Sequence, residues 1–315
     1  MHRAAVALIA GLAAFADPAA AATIYPLTLD NCGMTVTFDA PPARVVTIKS
    51  TATELLLSLG LGARIVGVGF PDGPLPPELA AAGAGLRILS DKLPAPEVVL
   101  ATEPDFIYGG WESNFAADGA GERATLAQLG VKSYVAPAAC RTIRPPPLTF
   151  ARLFDEIAEI GTIFDKEAEA AALIAAQQAS LAALAPDKRG LTALWYSSGT
   201  KAPYVGAGSG APAMIMAALG LRNIFADVDD GWISASWEAV VAADPDVIVL
   251  VDSDWNPVAQ KKRLLAENPI TSKLKAVAKE RYLVIPFPAS EAGVRNVPAA
   301  VDMARQLAAL DLPVP

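Results

Sequence analysis

The sequence predicts an α/β protein made of two similar lobes joined by a single long helix, with a ligand cleft between them. Three observations carry this prediction. The first is a unit that occurs twice. Glu97-Val98-Val99 runs through Glu103-Pro104-Asp105 into Phe106-Ile107-Tyr108, and Glu238-Ala239-Val240 runs through Asp244-Pro245-Asp246 into Val247-Ile248-Val249. In each copy a short helix is stopped by proline, whose ring and missing N–H cannot continue it. The apolar run that follows reads as a strand buried on both faces, as in a parallel sheet. The second is another matched pair in the same order, Glu54–Val68 and Ala213–Asp227, each an apolar helix ended by glycine (Gly60, Gly220) and followed by the start of a strand. The third is Lys166–Ala185, alanine-rich and free of proline before Pro186. As a helix it would be roughly 30 Å long and would reach from lobe to lobe. Lobes of this pattern are Rossmann-like.

At 315 residues the chain can hold one large domain or two of ordinary size. With 53% hydrophobic and 18% charged residues it is globular. The net charge of −8 argues against nucleic acid, where a basic patch is the usual footprint, and serves solubility. The single histidine is His2. Its position excludes Ser-His-Asp and Cys-His catalysis from the mature chain, along with histidine-based metal sites. No metal and no cofactor is expected.

Taken in order, residues 1–22 read as a secretory signal: His2 and Arg3, the apolar run Ala4–Ala16, then the small residues Ala20-Ala21-Ala22. The run is too short to span a bilayer. The mature chain is expected to start near Thr23 and to be soluble outside the cytoplasm and monomeric. Residues 23–147 form the first lobe. Thr23–Phe38 suits an edge hairpin turning at Asn31-Cys32-Gly33. Arg44–Ile48 is the first buried strand, and the hydroxyls after Lys49 can cap a helix from about Glu54. Ile65–Val68, the first Pro-Asp unit, a helix near Glu122–Leu129 and a strand at Ser133–Val135 complete the lobe. Residues 148–188 are the helical link, broken around Gly161-Thr162. Residues 189–315 form the second lobe. It opens with a strand at Leu191–Trp195, followed by a helix with Pro212 in its first turn. The second Pro-Asp unit, a strand at Tyr282–Ile285 and a closing helix near Ala299–Leu310 finish it. In an exported chain the two cysteines, Cys32 and Cys140, suggest a disulfide. Closing so long a loop is worth about 4–5 kcal/mol in the chain-entropy model.

Ligands of open α/β sheets bind beyond the carboxyl ends of the strands. Here those exits carry Lys49, Ser50, Thr51, Phe70, Trp111, Trp195, Tyr196, Trp255 and Phe287, with Arg295 beyond and Trp232 in a loop. Aromatics make up only 7% of the chain, so this gathering predicts an aromatic-lined cleft for a large ring-bearing ligand, oriented by a few polar groups. Gly206, Gly208 and Ser209, before a helix, could present amides to an anion. The loop is not a Walker motif, for it lacks the Gly-Lys-Ser/Thr ending. Lys49 and Arg295 could pair with an anionic ligand.

The paired Pro-Asp units, the helical link and Lys49-Ser50-Thr51-Ala52-Thr53-Glu54 closely resemble the class III periplasmic substrate-binding proteins. These serve ABC importers of ferric siderophores, haem and cobalamin. The resemblance covers essentially the whole mature chain. Ser90-Asp91-Lys92, Gly110–Asn114, Leu194–Gly199, Tyr204–Gly208 and Phe287–Val297 resemble one branch in particular, proposed to bind the deazaflavin precursor F420-0. The resemblance implies a non-enzymatic carrier that presents its small-molecule ligand to a permease and its ATPase subunits. It also implies that Glu97 and Glu238 pair with arginines of the permease. Read by themselves, both glutamates sit at helix starts, where the dipole favours a carboxylate. A deazaflavin with its phosphodiester would suit aromatics and a glycine loop. A catecholate or citrate-type iron chelate would suit aromatics with Lys49 and Arg295.

Two other classes are open. A secreted hydrolase could use paired carboxylates among Glu54, Glu112, Glu238 and Glu291. Such chemistry needs one raised carboxylate beside an ionised partner, and nothing in the sequence places two together. A metal chaperone would have to rely on carboxylate ligands.

Overall fold

The computed structural model describes residues 22–312. The secretory signal expected over residues 1–22 therefore lies outside the described residues, Ala22 apart. The chain opens with a hairpin, β1 (Leu27–Asn31) and β2 (Met34–Phe38), turning through Cys32 and Gly33, both at positive φ (55° and 77°). That conformation gives a two-residue turn the twist its strands need.

The first lobe is a five-stranded parallel sheet in the order β5-β4-β3-β6-β7. Its elements are β3 (Val45–Ile48), α1 (Ser50–Ser58), β4 (Ile65–Gly69), α2 (Pro77–Ala80), β5 (Ile88–Ser90), α3 (Pro96–Leu100), β6 (Phe106–Gly109), α4 (Arg123–Gln128) and β7 (Lys132–Val135). Every residue of β3 and β6 is buried. Alternate side chains serve opposite faces: Val45, Phe106 and Tyr108 join one apolar cluster, Val46, Ile48 and Ile107 the other. The link consists of α5 (Phe150–Phe164) and α6 (Glu167–Ala182). The break falls at Asp165, in the left-handed conformation, and not at Gly161. Gly161 stays helical, and α6 packs against it so closely that a Cβ there would lie 2.6 Å from Ala170 Cβ.

The second lobe comprises β8 (Thr192–Ser198), β9 (Tyr204–Gly206), α7 (Ala211–Ala218), β10 (Arg222–Asn223), β11 (Trp232–Ser234), α8 (Trp237–Ala243), β12 (Val247–Asp252), α9 (Val258–Glu267), α10 (Lys275–Ala278), β13 (Tyr282–Pro286), α11 (Phe287–Ser290) and α12 (Asn296–Ala308). Its sheet runs β11-β9-β8-β12-β13, with β10 also on β8, and β9 and β11 antiparallel to their neighbours. Here too the faces alternate: Trp195, Val249 and Ile285 on one, Leu194, Tyr196 and Ile248 on the other.

The repeated units are the same physical devices used twice. Helix α1 ends with Leu61 N–H on Leu56 O and Gly60 N–H on Leu57 O; α7 ends with Leu221 N–H on Met216 O and Gly220 N–H on Ala217 O. Both are Schellman closures, and both glycines have φ 73°. In the Pro-Asp units, Asp105 accepts from the Ala43 and Arg44 amides at 2.8 and 2.9 Å, ahead of β3. Asp246 accepts from the Thr192 amide and hydroxyl at 2.8 Å, at the start of β8. Each aspartate thus ties its strand to the neighbour that begins the lobe. The disulfide between Cys32 and Cys140 is present, with Cα atoms 5.4 Å apart.

Candidate ligand-binding cleft

The first lobe's sheet ends in a compact set of cleft residues. Lys49 follows β3 at φ 78° and Phe70 follows β4 at φ 51°. Such conformations cost non-glycine residues about 1–3 kcal/mol and collect at functional sites. Asp72, two residues beyond Phe70, is fixed reciprocally to the start of α1: its Oδ2 accepts from the Ser50 amide at 3.1 Å, and its own amide donates to Ser50 Oγ at 2.9 Å. Asp72 in turn holds the Lys49 ammonium in a buried ion pair. That ammonium lies 3.6 Å from the Trp111 ring centroid and 4.1 Å from that of Phe70, within cation–π reach of both. The rings of Phe70 and Trp111 meet edge to face at 6.1 Å.

The second lobe covers this floor. Phe287, at the end of β13, stands 5.5 Å from the Lys49 ammonium and packs at 4.9 Å against Trp255, the outermost ring at 61% exposed. Trp111 Nε1 donates to Glu291 Oε2 at 3.0 Å. Arg295 grips Glu54 of α1 through two N–H donors, Nε to Oε2 at 2.6 Å and Nη2 to Oε1, and Nη2 also donates to Pro74 O at 2.8 Å. Thr51 sits where a Cβ on Gly293 would fall 3.0 Å from its Cγ2. A cavity of about 420 Å³ opens behind the Arg295 contact, between α2, α6 and α12. In the cleft itself the two lobes' own side chains meet.

Burial dominates the electrostatics. It lowers the Lys49 pKa against the pull of Asp72, and raises Asp72 against Lys49. It also raises Glu54 against the Arg295 hydrogen bonds, and Glu291 against the Trp111 N–H and Lys49.

The structure therefore gathers Lys49, Ser50, Thr51, Phe70, Trp111, Trp255, Phe287 and Arg295 as the sequence suggests, with one correction. Neither Lys49 nor Arg295 is a free cation awaiting an anion, since each already holds a carboxylate. Trp195 and Tyr196 are displaced from the site altogether. The strand β8 runs on to Ser198, so both lie mid-strand at 0% and 1% exposure, on opposite faces of the sheet. The glycine loop is no anion cradle either. The amides of Ala207, Gly208 and Ser209 donate to the carbonyls of Gly231, Val228 and Asp230. Its glycines serve packing: a Cβ would lie 2.3 Å from Pro212 Cβ at Gly206, and 2.3 Å from Ala226 O at Gly208. Trp232 belongs to β11 rather than to a loop, and stacks on Tyr204 with centroids 5.7 Å apart.

Asp72 escaped the sequence reading, although a Pro-Asp-Gly turn after a strand was the available signal. Of the carboxylates a hydrolase would need, Glu54 is spent on Arg295, and Glu112 accepts from the Arg141 and Thr142 amides and the Thr142 hydroxyl. Glu97 and Glu238 are exposed, each the second residue of its helix (α3, α8). Both helices precede a parallel strand and run against it, so their first turns lie at the cleft edge of their sheets.

A family model described as periplasmic binding protein matches residues 45–289. Among solved structures, a periplasmic binding protein from Veillonella parvula is 25% identical with TM-score 0.79, covering 89% of this chain and 97% of that one. A protein of an ABC-type Fe3+-hydroxamate transport system from Saccharomonospora viridis is 27% identical with TM-score 0.78, covering 91% and 100%. The periplasmic heme-binding protein of Vibrio cholerae, at 20% identity and TM-score 0.66 over 84% and 98%, shares the fold. No curated protein matches the chain. With more than half of its length matched by the family model, two lobes of the same construction and a cleft between them, the chain belongs to the periplasmic binding protein family.

Proposed function

We propose that the protein captures a large chelate or ring-bearing solute between its lobes in the periplasm and delivers it, chemically unchanged, to an ABC permease and its ATPase subunits. The observation that carries this is the aromatic cleft itself: Phe70 and Trp111 from one lobe face Phe287 and Trp255 from the other. The similarity to a ferric hydroxamate transport protein supports a metal chelate as cargo. The F420-0 reading rests on the sequence stretches that resemble that branch; its phosphodiester meets no open amide nest in the Gly206–Ser209 loop. No described helix is long and apolar enough to cross a membrane, in keeping with a carrier that works in the periplasm.

Native mass spectrometry of the exported protein, titrated with a ferric hydroxamate, haem, a corrinoid and a deazaflavin, tests the cargo. A stoichiometric complex with recoverable, unaltered ligand is the expected result. Turnover of the ligand would refute the carrier reading. The exposed Glu97 and Glu238 occupy the same helical position in the two lobes, which suits a symmetric two-point contact with the permease. Glu97→Ala with Glu238→Ala is expected to abolish uptake while leaving solute affinity intact. Normal uptake by the double variant would remove their docking role.

A further inference from the structure

The ionised groups around the cleft leave a negative remainder. Lys49 is matched by Asp72 and Arg295 by Glu54. Glu291 makes no ion pair among the described residues, and the one hydrogen bond to its carboxylate there is from the neutral Trp111 indole. Widening the circle does not reverse the sign. Glu78 lies near Glu54, and Arg141 and Asp230 lie near Tyr204, which also feels Glu291. The set is then three cations (Lys49, Arg295, Arg141) against five carboxylates (Asp72, Glu54, Glu291, Glu78, Asp230). Opening the lobes would separate Arg295 from Glu54 without altering this sum. The aromatic walls act in the same direction. The faces of Trp111 and Phe70 already accommodate an ammonium, that of Lys49, as the negative potential over a ring face favours.

Resting on the carrier reading above, we propose that the cleft selects a solute of zero or positive net charge, with Glu291 as the residue that reads the charge. A positive group on the solute would lie against the Glu291 carboxylate and the aromatic faces. A tricatecholate or citrate chelate, or a phosphodiester, would bring negative charge beside the Glu291 carboxylate, while Lys49 and Arg295 each already hold a carboxylate of their own. Glu291 is half-buried, and burial pushes its pKa up against the Trp111 N–H and the Lys49 ammonium.

One chelate in three charge states provides the test: the ferric complex of desferrioxamine B with its terminal ammonium free, acetylated or succinylated. Its binding to the full exported protein is followed by tryptophan fluorescence. The positive complex is expected to bind at least about tenfold tighter than the negative one, with the neutral one between. Glu291→Gln is expected to compress that span to under about threefold. A negative complex that binds as tightly as the positive one overturns the charge inference alone and leaves the carrier reading standing. So does an unchanged span in Glu291→Gln. If none of the three binds, and corrinoids, haem and a deazaflavin fail as well, the carrier reading fails together with it.

Discussion

Arg295 and Glu54 are 241 residues apart in sequence, belong to different lobes, and are 13% and 1% exposed at their side chains. Arg295→Leu would leave the Glu54 carboxylate buried without its partner. In a rigid core that costs about 3–5 kcal/mol. Here the lobes have a cheaper response: they part, and water reaches Glu54. The cost is then expected to appear as a shift from closed to open of roughly a hundredfold or more, at about 1.4 kcal/mol per tenfold, with little loss of global stability. Trp111 is the natural reporter, because on opening it loses the Glu291 acceptor and the Phe287 side of its surroundings. Arg295→Leu should red-shift its emission in the ligand-free protein. Replacing both partners by leucine should restore the closed signal, since apolar substitutes for a buried pair are often neutral or better. The reasoning is refuted if Arg295→Leu keeps the closed emission while its melting temperature falls by the full core penalty. The pair would then support the fold and not the closure.

Two further predictions concern stability. Glu156, buried under the first lobe's sheet with the Tyr108 hydroxyl on its Oε1 at 2.5 Å, has its pKa raised by burial from 4.5 to about 7. A carboxylic acid raised in the folded state contributes stability that is fully present below its unfolded value and lost as pH rises through the folded one. Between pH 4.5 and about 7 this group should therefore withdraw about 3 kcal/mol. Urea unfolding from pH 5 to 7.5 is expected to show stability falling with pH, and Glu156→Gln should remove most of that slope; an equal slope in the variant would discount the group. Replacing Cys32 and Cys140 by serine opens a loop with a sequence separation of 108. The variant is expected to lose about 2–5 kcal/mol, roughly 10 °C in melting temperature. A shift below a couple of degrees would show that the unfolded chain gains little from the release.

The frame was legible because its devices are local. A proline after a helical turn, an aspartate directly after it and a glycine after an apolar helix act over a few residues, and each recurs in the second lobe at its matching place. The fully buried strands announced themselves by composition. The exit of β8 misled for an equally local reason. Tyr196-Ser197-Ser198-Gly199 has the polar content of a loop, yet β9 pairs with Tyr196 and Ser198 and draws the strand outward. That extension carries Trp195 and Tyr196 into the middle of a sheet covered on both faces. Partner choice was illegible altogether. Nothing near Lys49 in sequence marks Asp72 as its partner, and only the joining of two strand exits brings them together. Trp111 and Glu291 meet over 180 residues.

Duplication explains why the fold was easier to infer than the cargo. Matched elements—β3 with β8, α1 with α7, α3 with α8, β6 with β12—build the two walls from the same rules. The residues that meet in the cleft come from what is not matched. In the first lobe Lys49 alone separates β3 from α1, and its side chain turns into the cleft. In the second lobe the antiparallel strand β9 interrupts the corresponding path, and β11 pairs with it, so that Tyr204 and Trp232 lie at the sheet edge. The stretch from Phe287 to Arg295, which crosses to Lys49, Trp111 and Glu54, follows the last strand and has no counterpart beyond β7, where the chain turns to the disulfide. A repeat can specify a pair of lobes. It cannot specify the asymmetric surface between them, and that surface is where the proposed reading of a solute's charge and shape would take place.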